Sequence, residues 1–281
     1  MKRFLSKAFA VARSEYLRWV VQPRMLTVGV LLVFMYQLVI APLQARADRL
    51  GAPLNVLEPF TAVGNSGGLV MLIPLVFLIL FSDYPRFSAN SMLLMHRTGR
   101  AAWLAGQLLF AASAVISYLG AILLGAVLCC PRGICTANWS DAVTKYNAAF
   151  PQEIGSFGSM LLPAQLYDQI PLGRAFRLTL VWLFCYLMLL ILILYLCRLL
   201  RAQMLGLAAV MLVIAGGVLT CALKTKWMWA FPMAHTIPWL HYDEILRAPV
   251  VPIGATAAFW AISLTVGTLA CFAAVRRHDF L

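Results

Sequence analysis

The sequence predicts an all-α polytopic membrane protein with six transmembrane helices, and three observations carry that prediction. Six stretches hold no Asp, Glu, Lys or Arg: 25–45, 59–82, 101–131, 178–197, 202–223 and 248–275. Each reaches the roughly 20 mostly apolar residues that a helix needs to cross a bilayer. The chain is 63% hydrophobic and 11% charged, whereas a soluble domain is about 25% charged. Its basic residues are also unevenly shared between alternate connecting segments, as they are when one side of a membrane retains them.

That asymmetry sets the orientation. Of the 22 Lys and Arg residues, 13 fall in segments 1–24, 83–100, 198–201 and the tail beyond 275. The other nine are spread over longer loops, together with Asp48, Glu58, Asp141, Glu153, Asp168, Asp243 and Glu244. Both termini are therefore expected in the cytoplasm. The net charge of +12 reads as loop retention rather than as a nucleic-acid surface, because no block of aromatics is interleaved with Lys or Arg. Ala45-Arg46-Ala47 resembles a signal-peptidase site, but the basic segment ahead of the apolar run is too long for a signal peptide. The first span is expected to be retained.

The chain reads as a single transmembrane permease-like domain, 1–281. Residues 1–23 form a cytoplasmic amphipathic helix: Phe4, Leu5, Ala8, Phe9, Ala12, Tyr16, Trp19 and Val20 recur near a 3.6 period, with Lys2, Arg3, Lys7, Arg13 and Arg18 on the other side. Such a helix suits the inner membrane interface, and Pro23 ends it. Spans are expected at 25–43, 62–82, 102–129, 177–197, 203–223 and 253–275, with outer loops 44–61, 130–176 and 224–252. Gly64-Asn65-Ser66-Gly67-Gly68 reads as a flexible entry to the second span.

Between spans 2 and 3 a short cytoplasmic helix is expected, with Ser88 as N-cap and Gly99 as stop. Met92, Leu93, Met95 and His96 would share its exposed face. Span 3 carries small residues at every fourth position, Ser113, Ser117, Ala121 and Gly125, which lets another helix approach closely. Trp227, Trp229, Phe231 and Trp239, with Pro232 and Pro238 between them, suit the headgroup level. Segment 227–247 is expected to be a broken, re-entrant pair of short helices acting as an outer gate. Of seven cysteines, Cys129, Cys130 and Cys135 lie at the outer end of span 3, where the spacing allows a small disulfide loop between Cys130 and Cys135 on an oxidising face.

The missing chemistry narrows the function. No Gly-x-x-x-x-Gly-Lys-Ser/Thr or His-Glu-x-x-His motif occurs, so no P-loop nucleotide site and no zincin metal site are expected. The six charge-free windows hold no acidic or basic residue of the kind that ion-coupled transporters and proton pumps place within spans. His235, His241, Asp243 and Glu244 form the single polar cluster, but the histidines are six apart with prolines between them. No catalytic, cofactor-binding or metal residue is assigned.

A basic amphipathic N-terminal helix, six spans, a short cytoplasmic helix between spans 2 and 3, and the tail Arg276-Arg277-His278-Asp279 resemble the permease subunits of type-2 exporter (ABC-2) ABC transporters. The run Arg97-Thr98-Gly99-Arg100-Ala101-Ala102-Trp103-Leu104-Ala105-Gly106-Gln107 is similar to that family's entry to its third span, with Gln107 where a Lys is common, a departure expected to matter little. The resemblance implies a connecting helix at the N-terminus and a coupling helix over residues 86–98. Arg86, Met92, Leu93, His96 and Arg97 would contact a separate ATP-binding subunit, the only route by which ATP would enter. A second permease subunit, identical or different, would complete the path, with membrane lipid around it and no nucleic acid. The expected place is the cytoplasmic membrane of a bacterium. Uncharged spans suit amphiphilic cargo: a peptide, antibiotic or lipid-like molecule, as in antimicrobial-peptide resistance systems. The chain itself would not be an enzyme. The alternatives are a non-transporting membrane scaffold and a membrane-embedded, lipid-acting enzyme built on the His235–Glu244 cluster.

Overall fold

The computed structural model describes residues 2–86, 89–130, 133–242 and 250–277, with backbone only at 89–91 and 277. Ser88, Arg132, Asp243, Glu244, His278 and Asp279, which the sequence singled out, lie outside the described residues. Among the described residues the regular structure is helical and there is no strand; an isolated parallel bridge pairs Asn55 with Ile134. Five of its helices are long and apolar enough to cross a membrane.

Helix α1 (Lys2–Val20) is followed by α2 (Pro23–Leu50), α3 (Glu58–Asn65), α4 (Leu72–Phe81), α5 (Ala89–Thr98) and α6 (Arg100–Leu128). Then come α7 (Leu172–Leu199), α8 (Gln203–Ala222) and α9 (Ile253–Arg277). Helices α6 and α7 run antiparallel at the centre, since Gln107 near the start of α6 meets Tyr195 near the end of α7. Helices α1 and α2 pack on α6, whereas α3 and α8 pack on α7 and α9 packs on both. Leu and Ile side chains on the outer faces, such as Leu124, Leu212 and Ile262, stay exposed, as they do when lipid is the solvent.

Two spans differ from expectation. Helix α2 does not stop near residue 43; it continues to Leu50 and ends on Gly51 at φ +66°. Its last turns are amphipathic, burying Leu43, Arg46 and Ala47 against the short outer helix Asp141–Thr144. Pro42 lacks an N–H and crowds the carbonyl four residues back. The backbone accommodates it by widening into a π turn over Tyr36–Ile40, a known way to absorb such an interruption. The second span is not one helix either: the chain leaves helical geometry between Asn65 and Leu72. Gly67 and Gly68 each cost a helix about 1 kcal/mol relative to Ala. Both face open space, so no packing offsets that cost. Helix α4 alone, at ten residues, is about 15 Å long, half of a bilayer core.

One buried carboxylate ties the segment after α2 to the segment after α6. Glu58, fully buried, accepts hydrogen bonds from the Ser140 backbone N–H at 2.6 Å, the Ser140 hydroxyl at 2.9 Å and the Asn55 backbone N–H at 3.1 Å. Asn55 donates its side-chain amide to the carbonyls of Thr136 and Asn138. Cys130 and Cys135, whose spacing allows a disulfide, are both free, as are the other five cysteines. Ile134 pairs through its backbone with Leu54 and Val56, which leaves Cys130 buried and Cys135 exposed on the far side of that pairing.

Candidate functional site

Three clusters hold the residues that the sequence marked. The first is α5. Gly99, at φ +90°, adopts a conformation that a side chain would strain, and its N–H bonds the Met95 carbonyl while its own carbonyl accepts from Trp103 N–H. One glycine thus joins α5 directly to the first turn of α6. Met92, Leu93, His96 and Arg97 are exposed, Leu93 by 62%. Met95 was expected on that exposed face, but it is buried. At 100° per residue it lies away from 93 and 97, and it fills the seam that α5 makes with α1 and α6. Lys7 of α1 donates to the Arg97 carbonyl. Arg86 stands apart from these four, its guanidinium 5.0 Å over the ring of buried Tyr84.

Behind α5 lies a cluster missed in the sequence. Glu15 faces the core at 1% exposure, among Ala8, Val11, Ala12 and Trp19 on the same stripe of α1. Its spacing from Ala8, Val11 and Ala12, at seven, four and three residues, was the available signal. Burial raises its pKa above the usual carboxylate value, against the pull of Arg18, the Gln107 amide and Arg86. Gln107, judged a minor departure from the family, is fully buried beside it. Glu15 Oε2 and Gln107 Nε2 both lack a hydrogen-bond partner, so the two side chains approach without closing a bond.

The small residues of span 3 meet helices of this same chain. Gly106, four residues past the Ala102 start of the expected span, takes the backbone of α1: a Cβ there would lie 2.6 Å from the Ala8 carbonyl oxygen. The Ser117 hydroxyl lies 2.6 Å from that of Tyr16, while the Ser113 hydroxyl bonds back to the Leu109 carbonyl. Gly125 is filled by Leu32 of α2, and Ala121 is half-buried.

The third cluster is the segment before α9. The turn of helix Pro232–Thr236 and the residues to His241 are buried, apart from partly exposed Trp239. Phe231 packs onto Gly216 and Met233 onto Gly217. Those glycines lie six and five residues before the end of α8, about 8–9 Å along its axis. The four aromatics expected at an outer gate do not come together. Trp227 is 77% exposed; Phe231 sits on α8; Trp239 hydrogen bonds to α3; only Trp229 joins the histidines.

His235 and His241 lie inside an aromatic shell, their ring centroids 6.3 Å apart. Trp229 and Trp182 flank His241 at 4.9 and 5.0 Å, and Phe259 stacks on His235 at 4.1 Å. His235 Nε2 faces the Trp229 carbonyl and Nδ1 the Thr256 hydroxyl, so Nε2 carries the proton and Nδ1 accepts. His241 Nδ1 faces the Val251 carbonyl, and its Nε2 has no partner. Burial lowers both pKa values, that of His241 to about 4, against the Val251 hydrogen bond. Each ring commits its N–H to a carbonyl, and among the described residues no group of three His, Cys, Asp or Glu side chains could hold a metal.

No family model, no characterised protein and no solved structure matches this chain.

Proposed function

We propose that this chain is the membrane-spanning permease subunit of an ATP-driven exporter of the ABC-2 type, energised by a separate ATP-binding subunit. The observation that carries the reading is α5: a ten-residue helix with Met92, Leu93, His96 and Arg97 exposed, fixed through Gly99 to the long span α6. An apolar-to-basic face of this kind suits a groove with acidic walls on a partner. A push on it would reach α6 rigidly, because Met95 and the Lys7 bond lock α5 onto α1 as well. In this reading α3 and α4 together make a sixth, broken crossing, both termini are cytoplasmic, and the membrane is the cytoplasmic membrane of a bacterium. Two permease subunits enclose the path and ATP acts only through the partner. The cargo is amphiphilic, a peptide, antibiotic or lipid-like molecule, in keeping with uncharged spans.

The test is co-purification in detergent with candidate ATP-binding subunits. The native chain should retain one, and Met92→Glu with Arg97→Glu should lose it while remaining monodisperse. A well-folded native chain that retains none would overturn the transport reading in favour of a membrane scaffold.

A further inference from the structure

Helices α1 and α6 run side by side in the same direction. Gly106 meets Ala8 and Val11, and further along Ser117 meets Tyr16. One side of this pair is not filled. A groove of about 470 Å³ runs along it, between Phe9, Arg13 and Tyr16 of α1 and Leu109, Ser113 and Ile116 of α6. It opens at Phe9 and Arg13 into a second hollow of about 480 Å³ on the outer side of α1.

The two walls of the groove differ in chemistry. On the α1 wall, between Phe9 and Tyr16, stands Arg13, exposed and with no hydrogen-bond or ion-pair partner among the described residues. On the facing α6 wall Leu109 and Ile116 are exposed, seven residues or about 10 Å apart. The hydroxyls between them are committed: Ser113 bonds to Leu109, Ser117 bonds to Ser113, and Tyr16 meets Ser117. The groove therefore sets one cation on its α1 wall against an α6 wall that is apolar with satisfied polar groups.

Charge decides what fits. The exposed side of α1 carries Lys2, Arg3, Lys7, Arg13 and Arg18. Its single acidic residue, Glu15, is turned into the core. No carboxylate on α1 competes for Arg13.

We propose that the α1–α6 groove binds one anionic phospholipid of the leaflet on the α1 side, its phosphate on Arg13 and one acyl chain along Leu109 and Ile116. A phosphate supplies the anion that the guanidinium lacks, and the acyl chain covers exposed Leu and Ile. A zwitterionic lipid offers the same chain but no net charge. The site does not depend on the transport reading.

Native mass spectrometry of the purified full-length chain tests it, with phosphatidylglycerol and phosphatidylcholine offered in equal amounts. The native chain should retain one phosphatidylglycerol in preference to phosphatidylcholine. Arg13→Gln should lower that retention about fivefold, the effect of one basic residue at an anionic surface. Ser113→Phe, which fills the groove and keeps Arg13, should lower it as much, and Arg3→Gln should leave it unchanged. Equal retention of the two lipids, or no loss in Arg13→Gln, overturns the proposal. So does a chain that retains no lipid and instead forms a dimer that Ser113→Phe breaks. Arg13 is exposed, so its variant decides the matter if Ser113→Phe fails to fold.

Discussion

Trp239 donates its indole N–H to the carbonyl oxygen of Asn65, 2.8 Å away and 174 residues earlier. Asn65 is the last residue of α3, at the point where the second span breaks, and the last carbonyls of a helix have no partner within it. Asn65 is itself buried and reaches Thr179 on α7 at 2.8 Å through its side-chain amide. The broken span, the central helix and the segment before α9 therefore meet at one residue.

Trp239→Phe removes the donor and keeps the ring. The buried carbonyl is then unsatisfied, at a cost of about 1–3 kcal/mol. Thermal unfolding in detergent should show a lower midpoint, and an unchanged midpoint would mean that the bond contributes nothing.

Gly106 and Gly120 sit on the same helix with opposite surroundings. A Cβ at 106 would lie 2.6 Å from both the Ala8 carbonyl oxygen and the Val11 side chain, whereas at 120 it meets nothing within 4 Å. Gly106→Ala should cost about 1–3 kcal/mol through overpacking and loosen α1 from α6. Gly120→Ala should be neutral, or stabilising by up to about 1 kcal/mol. Limited proteolysis of α1, run on both variants, separates the two outcomes.

The histidine shell should weaken in acid. An accessible histidine titrates near 6.5, and His241 is held neutral down to about 4. Between those values the opened segment binds more protons than the closed one. The stability from the neutral ring is complete above 6.5 and is lost as pH falls towards 4. At pH 5 the loss is roughly 2 kcal/mol. Quenching of tryptophan fluorescence by acrylamide should rise between pH 7 and 5 in the native chain, and less so in a His241→Gln variant.

Glu15 has the opposite sign. Its pKa is raised in the folded chain, so the stability of its neutral form is full below about 4.5 and lost as pH rises through the folded value. Glu15→Gln keeps the shape without the charge. The native melting midpoint should fall from pH 5 to pH 8 while that of the variant stays level. A native midpoint that does not fall would show that Glu15 ionises without penalty.

The long spans were legible because continuous apolar runs such as 178–197 have a single stable outcome in lipid, a helix that satisfies its own backbone. The α5 helix was legible as well, through its Gly99 stop, although Met95 fell on the wrong face because a ten-residue helix gives its faces little statistical weight. The outer segments were not legible. Whether Asn65 ends a helix or continues one depends on Thr179 and Trp239, more than 100 residues away. The pairing of Ile134 with Leu54 and Val56 likewise joins segments about 80 residues apart.

By itself, then, the sequence determined the membrane class, the helical content and, among its six apolar windows, the five that form helices long enough to cross a membrane, because burial of apolar side chains and backbone hydrogen bonding are both settled within each segment. The tertiary structure alone decided that Glu15 is buried beside Gln107, that Glu58 anchors the loop before α7 through Ser140, and that the α1–α6 groove is lined by an unpartnered Arg13. In each case the surroundings of a polar or charged side chain are set by another element, and they exist only once the helices have packed.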